Sequence, residues 1–315
     1  MISSLVQPKF LFSSSLLTPS QYSARFAVAA SALPPSSMGS NQAAEAHKVF
    51  SSVPHVLPPH RNALNDLLSL VLYHFGPQLQ PSSASVPPEA ERYQNDDASS
   101  HGSLFINRGT ATSHIDFVLS SCLSLSLPNS CFMKVTNLHV YLKATTDAPH
   151  FLFELCQTSH CQFIFFLDAC PRKDLVLNSE YRQVFYEDSG LDAWRKKFYE
   201  EVPEATPYVS SSIYFRCVAS PTAILAVIKC EEGRAEEIVR DSVGPVANEA
   251  MKVWIEKCAS KERGSLGDEM RVLRYRDRIV KRNAVETDLG SSLPQIFGPK
   301  GEMVLNVIRN AHGIS

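Results

Sequence analysis

Two apolar runs, Phe151 to Cys156 and Cys161 to Leu167, stand either side of a short polar break from Gln157 to His160. Runs of this length around a polar break read as two adjacent strands joined by a tight connection. Side chains alternate along a strand, so Phe151, Phe153 and Leu155 share one face and Leu152, Glu154 and Cys156 the other. Both faces are apolar except at Glu154, and a sheet with two apolar faces needs cover on both sides. The pair is therefore expected mid-sheet, in an α/β chain with helices packed above and below. That cover encloses one carboxylate. Burial disfavours its charged form and raises its pKa, which makes Glu154 a candidate proton donor near neutral pH. A glutamate held by an arginine or a backbone donor is the plainer reading of the same strand, and the strand alone leaves both open.

The segments around this pair supply its cover. Arg61 to Phe75 carries Leu64, Leu67, Leu68, Val71, Leu72 and Phe75 at helical spacing, which predicts one amphipathic helix. Gly76 to Gly102 is rich in Pro, Ser, Gln and Asn and is expected to be a long surface excursion. The period then changes to two: Ser103 to Asn107, Ile115 to Leu119 and Phe132 to Lys143 read as consecutive strands, the pattern of an antiparallel sheet. Asp116 falls on the face opposite Ile115 and Phe117, either a second enclosed carboxylate or a solvated residue near a turn. Beyond the pair, Pro171 to Asp174 is a basic turn and Gly190 to Val202 a helix. Ser212 to Ala219 and Thr222 to Cys230 read as strands folded back at Ser220-Pro221. Arg234 to Val243 and Val246 to Cys258 read as helices parted at Gly244-Pro245, because proline cannot continue a helix without losing a hydrogen bond. The last helix, Gly301 to His312, should stop at Gly313 in a left-handed cap.

Charge and composition exclude several classes. The formal charge of -2 argues against general nucleic-acid binding, and no apolar run of about 18 residues offers a membrane span. The cysteines form no C-x-x-C pair and no Cys/His set at zinc spacing; Cys122, Cys156 and Cys230 sit inside apolar strand patterns, as reduced core cysteines do. No dinucleotide fingerprint, phosphate loop, nucleophile elbow or zinc-protease helix occurs. Residues 1–38 hold Lys9 and Arg25, no acid and many serines, the composition of a transit peptide; scarce arginine favours the plastid over the mitochondrion. The remainder, 39–315, can bury one large core or two smaller ones and has 28 basic against 32 acidic side chains, about -4, so an acidic partner would need a local basic patch. Arg271, Arg274, Arg276, Arg278, Lys281 and Arg282 against Asp277 form such a patch, unless it is simply a solvated helix face.

At Phe153 to Leu155, Pro171 to Asn178, Pro207 to Ser210, Ser220 to Ala223 and Glu286 to Leu289 the chain resembles red chlorophyll catabolite reductase, in the same order from about Ala46 to the C-terminus. The resemblance implies an α/β/α sandwich with a mainly antiparallel sheet, like that of the ferredoxin-dependent bilin reductases, with a linear tetrapyrrole held between sheet and C-terminal helices. It implies reduction of the C20/C1 double bond of red chlorophyll catabolite to primary fluorescent chlorophyll catabolite. Electrons would come singly from reduced ferredoxin, with no bound metal or other cofactor. It places the family's two functional carboxylates at Glu154 and at Asp288, in an acidic turn, and a position that steers the C1 epimer at Val218 or Ala219, where some members carry an aromatic and this chain does not. It further implies that 39–315 is one catalytic domain and that the protein is a homodimer in the chloroplast stroma, with the mitochondrion a second location. Ferredoxins are acidic, so Arg271, Arg274, Arg278 and Lys281, then Arg172 and Lys173, are candidates for a docking rim. The rival readings are a bilin reductase for a haem-derived bilin, and a non-catalytic scavenger of the red catabolite.

Overall fold

The structure, a computed structural model, describes residues 56–127, 131–259, 267–290 and 292–314. The leader expected over residues 1–38 lies outside the described residues, as do the side chains of Cys258 and Asp288.

In chain order, α1 (Pro58–Phe75) and the one-turn α2 (Pro88–Glu91) precede β1 (Arg92–Gln94), β2 (His101–Arg108), β3 (Ile115–Ser126), β4 (Phe132–Leu142), β5 (His150–Ser159) and β6 (Gln162–Cys170). There follow α3 (Ser179–Arg182), α4 (Leu191–Glu201), β7 (Ala205–Pro207), α5 (Ile213–Val218), β8 (Ile224–Lys229), α6 (Arg234–Ile238), α7 (Gly244–Val253), α8 (Asp268–Asp288) and α9 (Ser292–His312). The strands form one sheet in the order β1-β2-β3-β4-β5-β6-β8-β7, antiparallel throughout.

Helices cover both faces, which is the α/β/α sandwich that the two-faced apolar strands require. On one face Phe151, Phe153 and Leu155 pack with Leu64, Leu67 and Leu68 of α1, Phe198 of α4 and Ala247 and Met251 of α7. On the other, Cys156 and Ile164 pack with Val285 of α8 and Val304, Leu305 and Ile308 of α9. The alternation expected for β5 is observed, and each fully buried α1 leucine contributes roughly 1.5–3 kcal/mol.

Four expectations are corrected. Ser212 to Ala219 is not a strand: the Ser212 hydroxyl accepts the Phe215 N–H at 3.2 Å and caps the short helix α5. A local cap outweighs the β propensity of Ile213, Tyr214, Phe215 and Val218. The break at Gly244-Pro245 is absent, because a π turn over Val239–Val243 bonds the Gly244 N–H to the Val239 carbonyl and carries the chain helically into α7. Gly76 to Gly102 is anchored rather than an excursion: Val86, Ala90 and Tyr93 enter the second core and β1 pairs with β2. The acidic segment expected as a turn is helical to Asp288, the last residue of α8. Gly313 does take the left-handed conformation, at φ 65°.

Candidate active site

The register of the central strands lays out the floor of a cavity. Asn137 of β4 stands opposite Glu154 of β5, and Glu154 opposite Phe166 of β6. In the next row His139 faces Leu152 and Leu152 faces Asp168; in the third, His150 faces Cys170. These side chains share the face that α8 and α9 roof, and α5 closes one end with Phe215, Val218 and Ala219. The enclosed space is about 400 Å³, mostly apolar, with a few polar groups aimed in, the usual make-up of a small-molecule site.

Glu154 is half-buried at the centre of this floor. Its neighbour Asn137 spends its carbonyl oxygen on Ser121, accepting the N–H and the hydroxyl at 3.1 Å each, so what it offers a neighbour is its NH₂ donors. Asp168, 3 % exposed, accepts the Ser220 N–H at 2.9 Å, and burial pushes its carboxyl up to about 7.

The imidazoles near this floor are neutral at neutral pH. Burial lowers His139 and His150 to about 4 each and His312 to about 3. His150 Nδ1 accepts the Leu142 N–H at 3.1 Å, so Nε2 carries the proton and donates to Asp277 Oδ1 at 3.2 Å. His312 Nδ1 donates to the Ile308 carbonyl at 2.8 Å, leaving Nε2 as an acceptor. Tyr141 packs against all three rings, at centroid distances of 6.2 Å, 5.0 Å and 5.4 Å.

The roof helix α8 is tied down by charge. Arg172 donates Nε and Nη2 to the two oxygens of Asp277, at 3.0 Å and 2.6 Å, and Nη1 to the carbonyls of Thr146 and Ala148. Burial would raise Asp277, yet its contacts with His150 and Arg172 hold it well below the usual carboxylate range. At neutral pH His150 is uncharged and Arg172 is the charged partner of Asp277; below about pH 4 His150 is protonated and adds its own charge to the pair. One turn on, Lys281 pairs with Asp116 and lies over the rings of Phe117 and Tyr141 at 5.2 Å and 5.4 Å. Asp116 is thus neither fully enclosed nor free in solvent but half of this pair.

Glu154, Val218 and Ala219 therefore come together on the cavity, and Asp288 ends the roof helix one turn after the cavity-lining Ala284. Arg172 and Lys281 do not belong to a docking rim: they are 1 % and 6 % exposed and serve as internal pins. Lys173 is also occupied, by Asp147 at 2.6 Å and by Glu269. Arg271, Arg274 and Arg278 remain on the outer face of α8. Sequence reasoning missed Asp168, His139 and Tyr141. Once the β5–β6 and β4–β5 pairings are known, all three fall in phase with Glu154, and that phase is the signal that would have found them. Among the described residues no three His, Cys, Asp or Glu side chains converge as a metal site.

Comparisons with known proteins agree with this architecture. The family model for red chlorophyll catabolite reductase matches residues 59–310. The chain is 36% identical over 270 residues to a chloroplastic red chlorophyll catabolite reductase of Arabidopsis thaliana, covering 84% of each chain. It is 38% identical over 261 residues to red chlorophyll catabolite reductase 1, chloroplastic, of Oryza sativa subsp. japonica, covering 81% of this chain and 78% of the relative. Among solved structures, phytochromobilin synthase from tomato in complex with biliverdin is similar in fold, with a TM-score of 0.56 at 16% identity over 78% of this chain and 80% of that one.

Proposed function

The chain belongs to the red chlorophyll catabolite reductase family, and from that premise we propose that it reduces the C20/C1 double bond of red chlorophyll catabolite, giving primary fluorescent chlorophyll catabolite with electrons from reduced ferredoxin. Its class is oxidoreductase and its pathway chlorophyll catabolism. Two relatives carry chloroplastic names, which supports the chloroplast; the stroma is the compartment proposed.

The observation that carries the reading is a carboxylate, Glu154, standing in the middle of the floor of an enclosed apolar cavity. Each electron added to a conjugated tetrapyrrole builds negative charge on it, and in a water-poor cavity that charge needs a proton delivered in place. Glu154 and Asp288 are the proposed proton-handling pair, one from the floor and one from the end of the roof helix. Asn137, His139 and His312 surround the same space with donors and acceptors fit to hold pyrrole and lactam groups. In this reading the protein supplies pocket, protons and donor dock, the redox centre is the ferredoxin's own, and the assembly is a homodimer.

The dock follows from the roof. Val272 and Tyr275 are each 60 % exposed on α8, beside Arg271, Arg274 and Arg278. A second groove runs along this face, and Tyr214, Val218 and Val280 line both groove and cavity. An acidic donor seated on the arginines and the apolar stripe would sit against a shared wall, a short path for an electron.

The test is anaerobic mixing of the protein with red chlorophyll catabolite, reduced ferredoxin and its NADPH-driven reductase, following blue fluorescence beside the double variant Glu154→Gln, Asp288→Asn. Fluorescence from wild type alone is expected, with the variant folded and still binding the catabolite. A wild type that binds but makes no product is a scavenger. Equal product from the variant removes the pair, and preference for a haem-derived bilin in competition changes the substrate.

A further inference from the structure

Asp168 is the second carboxyl of the cavity wall, opposite Leu152 and diagonal to Glu154 on the same face. Diagonal neighbours across a sheet lie about 7–8 Å apart, so one flat ligand can reach both. Among the described residues its hydrogen-bond partner is Ser220, whose N–H donates to Oδ2 at 2.9 Å and whose hydroxyl lies 2.5 Å from Oδ1. Ser220 Oγ in turn lies 2.9 Å from Thr222 Oγ1 and accepts the Thr222 N–H at 3.1 Å. A chain of three oxygens thus leads from the buried cavity wall to a hydroxyl on a partly exposed residue.

The chain is consistent in both polarities. With Asp168 protonated, its O–H donates to Ser220 Oγ and the Ser220 hydroxyl donates to Thr222 Oγ1. With Asp168 ionised, the Thr222 hydroxyl donates to Ser220 and Ser220 donates to Oδ1. In each case Ser220 Oγ makes one donation and accepts twice, counting the Thr222 N–H, which fills a hydroxyl. A path that reverses direction without losing a bond can refill a spent acid.

We infer that Asp168 is a further catalytic acid of this cavity, giving a proton to the bound tetrapyrrole and regaining it from solvent through Ser220 and Thr222. The inference rests on the reductase reading and extends it. Reducing one carbon–carbon double bond takes two electrons and two protons. Ferredoxin supplies the electrons singly, and Asp168 supplies one proton, its O–H turning from Ser220 to the cavity and breaking as the new C–H forms. The carboxylate then takes the Ser220 hydroxyl proton, Ser220 takes that of Thr222, and Thr222 takes one from water. The second proton comes from Glu154 and Asp288. Burial holds the carboxyl near neutrality, the range in which an acid both gives and recovers a proton at physiological pH. Among the described residues no unpaired cation faces Asp168. Cys170 on its own strand and Tyr186, whose hydroxyl donates to the Ala169 carbonyl at 2.9 Å, are neutral and pushed up by burial. His139 and His150 on the neighbouring strands are neutral, Glu154 is acidic, Arg172 is spent on Asp277, and Arg276 donates to the Pro171 carbonyl at 2.9 Å.

Infrared difference titration of protein labelled with ¹³C-aspartate, wild type against Asp168→Asn, reads the proton directly and needs no turnover. A protonated carboxyl band titrating near neutral pH and missing from the variant is expected; an Asp168 fully ionised at pH 6 overturns the inference. In the fluorescence assay Asp168→Asn should lose about 100-fold in turnover with catabolite affinity within about twofold. Ser220→Ala, which keeps the carboxyl and cuts the relay, should lose roughly tenfold and shift the pH–rate profile, and Ser220→Thr should restore both. Wild-type turnover with Asp168→Asn unimpaired overturns the inference alone, or with Ser220→Ala unimpaired should Asp168→Asn not fold. A wild type without turnover overturns the reductase reading, and the catalytic role falls with it.

Discussion

Arg172 and Asp277, 105 residues apart in sequence, meet in a two-point ion pair at 3.0 Å and 2.6 Å that fixes the roof helix α8 to the turn after β6. The same guanidinium holds the Thr146 and Ala148 carbonyls. Removing one member strands the other in a site with almost no water. Arg172→Met or Asp277→Asn should each cost about 3–5 kcal/mol in urea unfolding, whereas changing both to apolar residues should cost less than either alone. Additive losses from the two single changes would mean that the pair is not the unit holding α8.

Four histidines with lowered pKa values should set the acid limit of the fold. Burial lowers His60, His139 and His150 to about 4 and His312 to about 3, against about 6.5 in the unfolded chain. A base with a lowered native pKa binds fewer protons folded than unfolded. Its contribution is complete above the unfolded value and is lost as pH falls from 6.5 through the native one. Four such groups should place acid unfolding between about pH 6.5 and 4, above the range where paired carboxylates protonate. Asp168, raised to about 7, works in the opposite sense: its contribution is present below about pH 4 and lost as pH rises toward 7. Asp168→Asn should therefore steepen the rise in stability between pH 4 and 7, by on the order of a few kcal/mol at most. Circular dichroism melts across this range decide it, and identical pH dependence in the variant would show Asp168 to be an ordinary ionised aspartate.

The proposed docking surface is narrower than the run of basic residues in the sequence suggests. Of its six candidates Arg172 and Lys281 face inward and Lys173 is held by Asp147 and Glu269, leaving Arg271, Arg274 and Arg278 around Val272 and Tyr275. Charge reversal at Arg274 and Arg278 should raise the apparent KM for ferredoxin about tenfold at low salt, with kcat nearly unchanged and the difference shrinking as salt screens the encounter. An unchanged KM removes this face as the dock, and a fall in thermal stability instead would give these arginines a structural role.

What the sequence showed and hid follows from the range of the interactions involved. The β5–β6 pair, its two faces and the enclosure of Glu154 are period-two patterns carried by neighbours in the chain, so they were legible, as was α1 with its leucines. Charge alone could not separate Arg172 and Lys281 from Arg274. The first two are partners of Asp277 and Asp116, residues that only the fold brings near. Asp168 was invisible for the same reason. It lies just past the apolar run, and its phase relative to Glu154 exists only once β5 and β6 are in register. In α5 a local signal was present, Ser212 ahead of the run, but the β-branched and aromatic residues after it pointed the other way.

Val218 ends α5 and Ala219 begins the turn into Ser220, and both line the cavity beside Phe215, whose ring meets Phe166 at 5.1 Å. The wall at this end thus sets two aliphatic side chains beside an aromatic pair, with Tyr214 next to them. In the proposed reaction, the face of the C1 carbon that receives hydrogen would follow from how the tetrapyrrole's end ring lies against that wall. A preference of about 1.4 kcal/mol for one pose already sets a tenfold epimer ratio. Val218→Phe fills the space that the short side chain leaves and should shift the product toward the opposite C1 epimer by about tenfold or more, with turnover kept within a similar factor. Ala219→Phe, next to the Ser220 relay, should lower turnover as well as change the ratio, since a bulky ring there presses on the turn that holds Asp168. Chromatography of the fluorescent product against both epimer standards reads the outcome. An unchanged ratio in both variants would place stereochemical control elsewhere in the cavity.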